Sequence, residues 1–132
     1  MREEARRWLR QAQADLKAAQ DSFKNKHFEW SCFQAQQSAE KSLKFYLYSL
    51  GFTSLVTHSI KMLVKECRKQ TDGFSELGEA ASILDAYYIP TRYPNGLDTD
   101  KAPVDYYDEK DAQKCLNYAT LILNTVKRYA KG

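Results

Sequence analysis

The sequence predicts an all-α fold: an antiparallel up-and-down bundle of about five helices, with one long proline-containing loop before the last helix. Three observations predict it. Apolar residues recur at steps of three and four along most of the chain, which gathers them on one face of a helix. No stretch of useful length alternates apolar and polar residues as a half-buried strand does. The prolines Pro90, Pro94 and Pro103 all fall between Ile89 and Tyr107, so the breaks that proline forces on a helix are confined to one place.

The first helical stripe runs through Ala5, Trp8, Leu9, Ala12, Leu16, Ala19 and Phe23, with Arg6, Arg10, Gln13, Lys17 and Asp21 opposite it. The second spans about Phe28 to Leu50. Cys32, Ala35, Ala39, Leu43, Tyr46, Leu47 and Leu50 keep the period, while Phe33 and Phe45 widen the apolar face as a central helix requires. Gly51 supplies its stop, because glycine takes the left-handed conformation cheaply. A third segment opens at Thr57 as N-cap and carries Ile60, Leu63, Val64 and Cys67 before the Asp72-Gly73 turn. The fourth runs from about Phe74 through Leu77, Ala81 and Leu84 to Tyr88. The last starts near Asp108, where Asp108, Glu109 and Asp111 suit the positive end of the helix dipole, and its end carries Lys127, Arg128 and Lys131. In the proline stretch, Tyr88, Ile89, Tyr93, Val104, Tyr106 and Tyr107 predict an ordered loop that packs back on the bundle.

At 132 residues the chain has the length of one domain, 1–132, with enough core to need neither disulfides nor a metal. With 43% apolar and 28% charged residues it has a soluble globular composition. The net charge of +3, from 20 Lys and Arg against 17 Asp and Glu, establishes no nucleic-acid binding by itself; a phosphate-binding surface requires the cations to cluster locally. Cys32, Cys67 and Cys115 are widely spaced and lie in apolar helical patterns, which predicts buried free thiols and no zinc site. The charged opening Met1-Arg2-Glu3-Glu4 has no apolar signal core, and no apolar run approaches membrane-spanning length. The expectation is a complete small cytoplasmic protein without a membrane segment.

Four stretches carry a family resemblance. They are Trp8-Leu9-Arg10-Gln11-Ala12 with Asp15-Leu16-Lys17-Ala18-Ala19, the run from Trp30 to Lys44 (WSCFQAQQSAEKSLK), His58-Ser59-Ile60, and Tyr87-Tyr88-Ile89-Pro90-Thr91-Arg92-Tyr93-Pro94. In this order they span essentially the whole chain and resemble the HEPN domain (higher eukaryotes and prokaryotes nucleotide-binding). The likeness is to its small stand-alone prokaryotic members and to a domain of a eukaryotic chaperone-like protein. The resemblance implies a helical bundle, commonly homodimeric, in a family with two functional branches. One holds metal-independent ribonucleases, among them toxins, marked by an Arg followed after four to six residues by a His. The other lacks that motif and includes partners of minimal nucleotidyltransferase proteins and domains credited with nucleotide binding. Here the windows before His27 and His58 hold Gln20, Asp21 and Ser22, and Gly51, Phe52 and Thr53. Neither contains Arg, so the acid–base pair for 2′-OH attack is absent in its usual form and the chain is expected in the non-catalytic branch.

The candidate nucleotide-binding residues are Gln37, Lys41, Lys44, His58, Tyr88, Arg92 and Tyr93. Lys41 and Lys44 share a helix face and either hold phosphate oxygens or pair with acids on a neighbouring element, with Gln37 beside them for a base or ribose. Arg92, between Pro90 and Pro94, either recognises phosphate in bidentate fashion or anchors the loop by capping helix carbonyls or pairing with Asp85 or Glu40. His58 opens a helix, where it donates to a phosphate or bonds a local acceptor; His27 is read as packing or solvent-facing. Tyr88 and Tyr93 either stack on a base or wedge the loop and form a dimer surface. No Walker, GxGxxG, GxSxG or HExxH motif occurs, and neither a cofactor nor a metal is expected.

The expected function is a non-catalytic, dimeric module binding the phosphate of a nucleotide such as ATP or GTP, RNA, or a nucleotidyltransferase partner in a toxin–antitoxin-like pair. Two alternatives stand beside it. One is a divergent ribonuclease, for which Arg92 and His58 must converge in one cleft. The other is a purely structural dimerisation domain.

Overall fold

The computed structural model describes residues 2–130; Met1, Lys131 and Gly132 lie outside the described residues. In chain order the helices are α1 (Glu3–Lys24), α2 (Phe28–Ser49), α3 (Ile60–Gln70), α4 (Gly78–Asp85), the single-turn α5 (Pro103–Tyr106) and α6 (Glu109–Tyr129). No strand occurs among the described residues.

α1 and α2 form an antiparallel hairpin. The chain reverses at Lys26, which takes φ 62°. The interface is built from small residues: Ser31 Oγ donates to the Ala19 carbonyl at 2.8 Å and Ser38 Oγ to the Ala12 carbonyl at 2.7 Å. Alanine and serine let two backbones approach closely, and each buried hydroxyl finds a carbonyl across the interface. Ala5, Ala12, Leu16 and Ala19 of the predicted α1 stripe are buried, and Trp8, Leu9 and Phe23 pack at its edges. α2 is buried on most of its surface, as its widened apolar face predicts. It ends where expected, with Gly51 at φ 103°.

α6 runs beside α2 in the same direction. Cys115 near its start neighbours Cys32, and Phe74 bridges Tyr46 of α2 and Tyr129 of α6 with ring centroids 4.7 and 6.0 Å away. Asp108 caps α6 in a full capping box: its side chain accepts from the Asp111 amide, and the Asp111 side chain accepts from the Asp108 amide. All three cysteines are buried free thiols. Burial pushes the Cys67 thiol up to about 12, so it stays protonated.

Three boundaries differ from the sequence expectation. α3 begins at Ile60, capped by Ser59 and not by Thr57; the Ser59 side chain accepts from the Met62 amide. The deciding group is remote. Asp85, at the end of α4, accepts from the Ile60 amide at 2.7 Å and the Lys61 amide at 3.0 Å. The fourth segment is not one helix from Phe74 to Tyr88. A 3-10 turn at Asp72–Phe74 precedes an α4 of only eight residues, because fully buried Phe74 is held by α2 and α6 instead of by its own helix. The proline loop is ordered, but only in part by the residues expected. Thr91, Pro103 and Tyr107 are buried, with Thr91 Oγ1 donating to the Tyr87 carbonyl at 2.7 Å. Ile89, Tyr93, Val104 and Tyr106 point to solvent, since the turns give their inward positions to Thr91, Pro103 and Tyr107.

Two predictions follow from these packing details. A methyl at Gly73 would meet the Tyr129 ring, whereas nothing lies within 4 Å of one at Gly78. In thermal denaturation, Gly73→Ala is expected to cost roughly 1–3 kcal/mol, and Gly78→Ala to be neutral or stabilising by up to about 1 kcal/mol. Asp108 titrates below its ordinary value of 3.8, chiefly because the Asp111 amide hydrogen-bonds its carboxylate. A lowered carboxylate contributes stability that is present above 3.8 and lost as pH falls through the folded-state value. Asp108→Ser keeps a cap without the charge, and is expected to flatten that part of an acid-unfolding curve.

Candidate functional site

The site grows outward from one carboxylate on α2. Glu40 is 3% exposed, and its Oε2 accepts from Lys44 Nζ at 3.1 Å one turn along the helix. The same oxygen lies 3.3 Å from Nδ1 of His58, on the segment entering α3. Lys44 is itself buried, with its ammonium 5.3 Å from the centroid of Trp8 on α1, and Trp8 stacks on Tyr48 at 5.4 Å. Lys44 is therefore the internal counter-ion of Glu40, roofed by an aromatic face. Glu40 Oε1 and Gln36 Nε2, also on α2, are buried without a hydrogen-bond partner among the described residues.

Above this layer lies a stack that reaches solvent. The His58 imidazole, with its side chain 59% exposed, packs face to face on Tyr88 at 5.4 Å. The Arg92 guanidinium lies 4.5 Å from the Phe33 ring, 4.8 Å from Tyr88 and 5.1 Å from Tyr93. Its Nε donates to the Tyr88 carbonyl at 3.1 Å. Three rings and one carbonyl thus fix the plane of the guanidinium. Among the described residues it enters no ion pair, and its terminal nitrogens make no hydrogen bond. The half-exposed Trp30 extends the patch by packing edge-on against Phe33.

Lys44, His58, Tyr88, Arg92 and Tyr93 thus form one unbroken chain of contacts through Glu40. Lys41 and Gln37 lie on the same helix but outside that chain. Lys41 pairs with Asp15 of α1, whose other oxygen accepts from Gln11, and Gln37 donates to the Gln36 side chain. Both lysines are engaged by carboxylates within the fold. Arg92 caps a carbonyl, as one sequence reading held, but pairs with neither suggested acid: Asp85 is spent on α3 and Glu40 on Lys44 and His58. Sequence reasoning did not assign Trp8, Phe33 or Asp15 to the site. The helical period places Trp8 and Phe33 with the core, and nothing local marks Asp15 as the partner of a residue on another helix. No group of His, Cys, Asp or Glu among the described residues is arranged to hold a metal.

The HEPN domain family model matches residues 5–129. The chain belongs to the HEPN family. This HEPN domain is 37% identical to TT1696 from Thermus thermophilus, with a TM-score of 0.89 over 96% of the chain and 98% of that structure. It is 36% identical to ST0689, an archaeal HEPN homologue, with a TM-score of 0.80 over the same shares. The protein named "Putative toxin MJ1304" of Methanocaldococcus jannaschii is 27% identical over 96% of this chain and 88% of its own length. Human sacsin is 27% identical over 96% of this chain, which spans only 3% of sacsin.

The buried pair generates its own test. Removing one partner of a buried ion pair typically costs about 3–5 kcal/mol, because the other charge is left without compensation. Lys44→Ala is expected to lose that order of stability in urea denaturation. The double variant Glu40→Leu with Lys44→Met is expected to recover most of the loss. A cost for the single variant under about 1 kcal/mol, the range of exposed pairs, would show that water reaches the pair.

Proposed function

We propose that this HEPN domain is a binding module that takes the phosphate of a nucleotide at Arg92, with Tyr93, Tyr88 and His58 around it. The observation that carries the proposal is the state of Arg92. Its plane is set by three rings and a carbonyl, and its terminal nitrogens are uncommitted. A guanidinium held in this way loses little freedom when it donates to two phosphate oxygens, and such paired, charge-assisted bonds are the strong ones. Tyr93, half exposed beside it, has a ring available to stack on a base. Lys41 and Lys44 are supports in this reading, since carboxylates already engage both.

The exposed Trp30, Ile89 and Tyr93 around Arg92 have the composition of a protein interface. The same face is therefore the proposed surface for self-association or for a nucleotidyltransferase partner. This accords with the toxin name of the archaeal relative, and light scattering on Trp30→Ala tests the self-association.

Calorimetry with ATP and GTP tests the nucleotide site. Wild-type protein is expected to bind at least one of them, and Arg92→Ala to weaken binding by about tenfold or more, the worth of one charge-assisted contact. Arg92→Lys is expected to fall between, because an ammonium lacks the fork. No binding by folded wild-type protein overturns the nucleotide reading.

A second reading has one observation in its favour. His58 and Arg92 both lie against the Tyr88 ring, and a buried carboxylate backs the imidazole. That is the convergence a divergent metal-independent ribonuclease needs. Single-stranded RNA incubated with the protein in chelator decides it: cleavage lost in His58→Ala supports this reading, and intact RNA removes it.

A further inference from the structure

A second surface, away from Arg92, concentrates positive charge. Between α3 and α4 lies a groove of about 620 Å³, and among the described residues no acidic side chain lines it. Lys61, Lys65 and Arg68 of α3 form one rim. They stand at i, i+4 and i+7, so they occupy one face of the helix over roughly 10 Å of rise. All three are exposed, and none enters an ion pair among the described residues. Their neighbour Lys69, by contrast, is paired with Glu66.

The rest of the groove says what kind of ligand it suits. The α4 wall is Gly78, Ala81 and Ser82, small enough for a backbone to approach closely. At the base, Val64 and Ala81 are 2% and 1% exposed, so they offer almost no apolar surface. No aromatic side chain lines it. A protein partner would lack the buried anchor that such interfaces use, and a base would find no ring to stack on. The charged and hydrogen-bonding groups of the lining are the three cations and the Ser82 hydroxyl. A single nucleic-acid strand presents its phosphates in a row, and each cation along this face can take one of them, with counterion release adding roughly 0.7 to the salt slope per contact.

We propose that the α3–α4 groove binds an extended phosphate polyanion through its phosphates alone, with Lys61, Lys65 and Arg68 as the contacts. The chemistry belongs equally to the backbone of a single-stranded oligonucleotide and to inorganic polyphosphate. The site is independent of the nucleotide site proposed at Arg92.

The test is fluorescence anisotropy with a labelled uridine oligonucleotide, titrated at several salt concentrations, with polyphosphate as competitor. The groove variant carries Lys61→Glu, Lys65→Glu and Arg68→Glu. A control variant carries Lys101→Glu, Lys110→Glu and Lys127→Glu, which changes net charge equally at other exposed positions. Circular dichroism verifies that both are folded. Wild-type affinity is expected to fall linearly with salt on logarithmic axes. The groove variant is expected to lose at least about tenfold in affinity and about two units of that slope, at roughly 0.7 per phosphate contact. The control variant is expected to keep most of the affinity and the slope, and polyphosphate to displace the oligonucleotide. Failure of the wild type to bind, or equal losses in the groove and control variants, overturns the proposal. If polyphosphate fails to displace the oligonucleotide, contact is not through phosphates alone and the proposal falls in the form given.

Discussion

The carboxylate of Glu40 constrains the rest of the molecule. Taking a charge out of water costs several kcal/mol unless partners replace the hydration, and α2 carries this one at a depth where 3% of the residue is exposed. One oxygen contacts both Lys44 and His58. Lys44 in turn brings Trp8 of α1 over its ammonium, and His58 brings the ring of Tyr88. A single buried group thereby ties α1, α2, the segment entering α3 and the loop after α4 into one arrangement. Tyr88 in turn helps to orient Arg92, through its ring and its carbonyl.

The helix hairpin makes that arrangement possible. Ser31 and Ser38 hydrogen-bond to α1 carbonyls, which draws the two backbones together through small side chains. α2 is left nearly enclosed, and Gln36, Glu40 and Lys44 are polar residues that it buries. Lys41 and Lys44 look alike by sequence, yet their fates differ with helical angle. Lys44 is sealed under Trp8, while Lys41 reaches sideways to Asp15 at the edge of α1.

The family match and the two structures of high likeness agree with this architecture over nearly the whole chain. Two surfaces of the chain carry contrasting local chemistry. Around Arg92 a cation is presented among aromatic rings. Along α3 three cations are presented without rings or acids. The first suits a compact ligand with a planar part and an anionic part, and the second a linear charge. No helix among the described residues is long and apolar enough to cross a membrane.

The sequence by itself determined the helices that periodicity and local caps control. α1, α2 and α6 were legible because an apolar stripe, a stopping glycine at Gly51 and an acidic cap at Asp108 act within a turn or two of where they stand. The grouping of His58, Tyr88 and Arg92 with α2 was also expected, through resemblance to a family and not through spacing. Tertiary structure alone decided the rest. The start of α3 depends on Asp85, 25 residues away from Ile60, and the shortness of α4 on Phe74 being claimed by α2 and α6. Which lysine is buried, which oxygen of Glu40 is shared and which Arg92 nitrogens stay uncommitted follow from angles between helices. A sequence encodes those angles only through the sum of its packing, and no local pattern reports a sum.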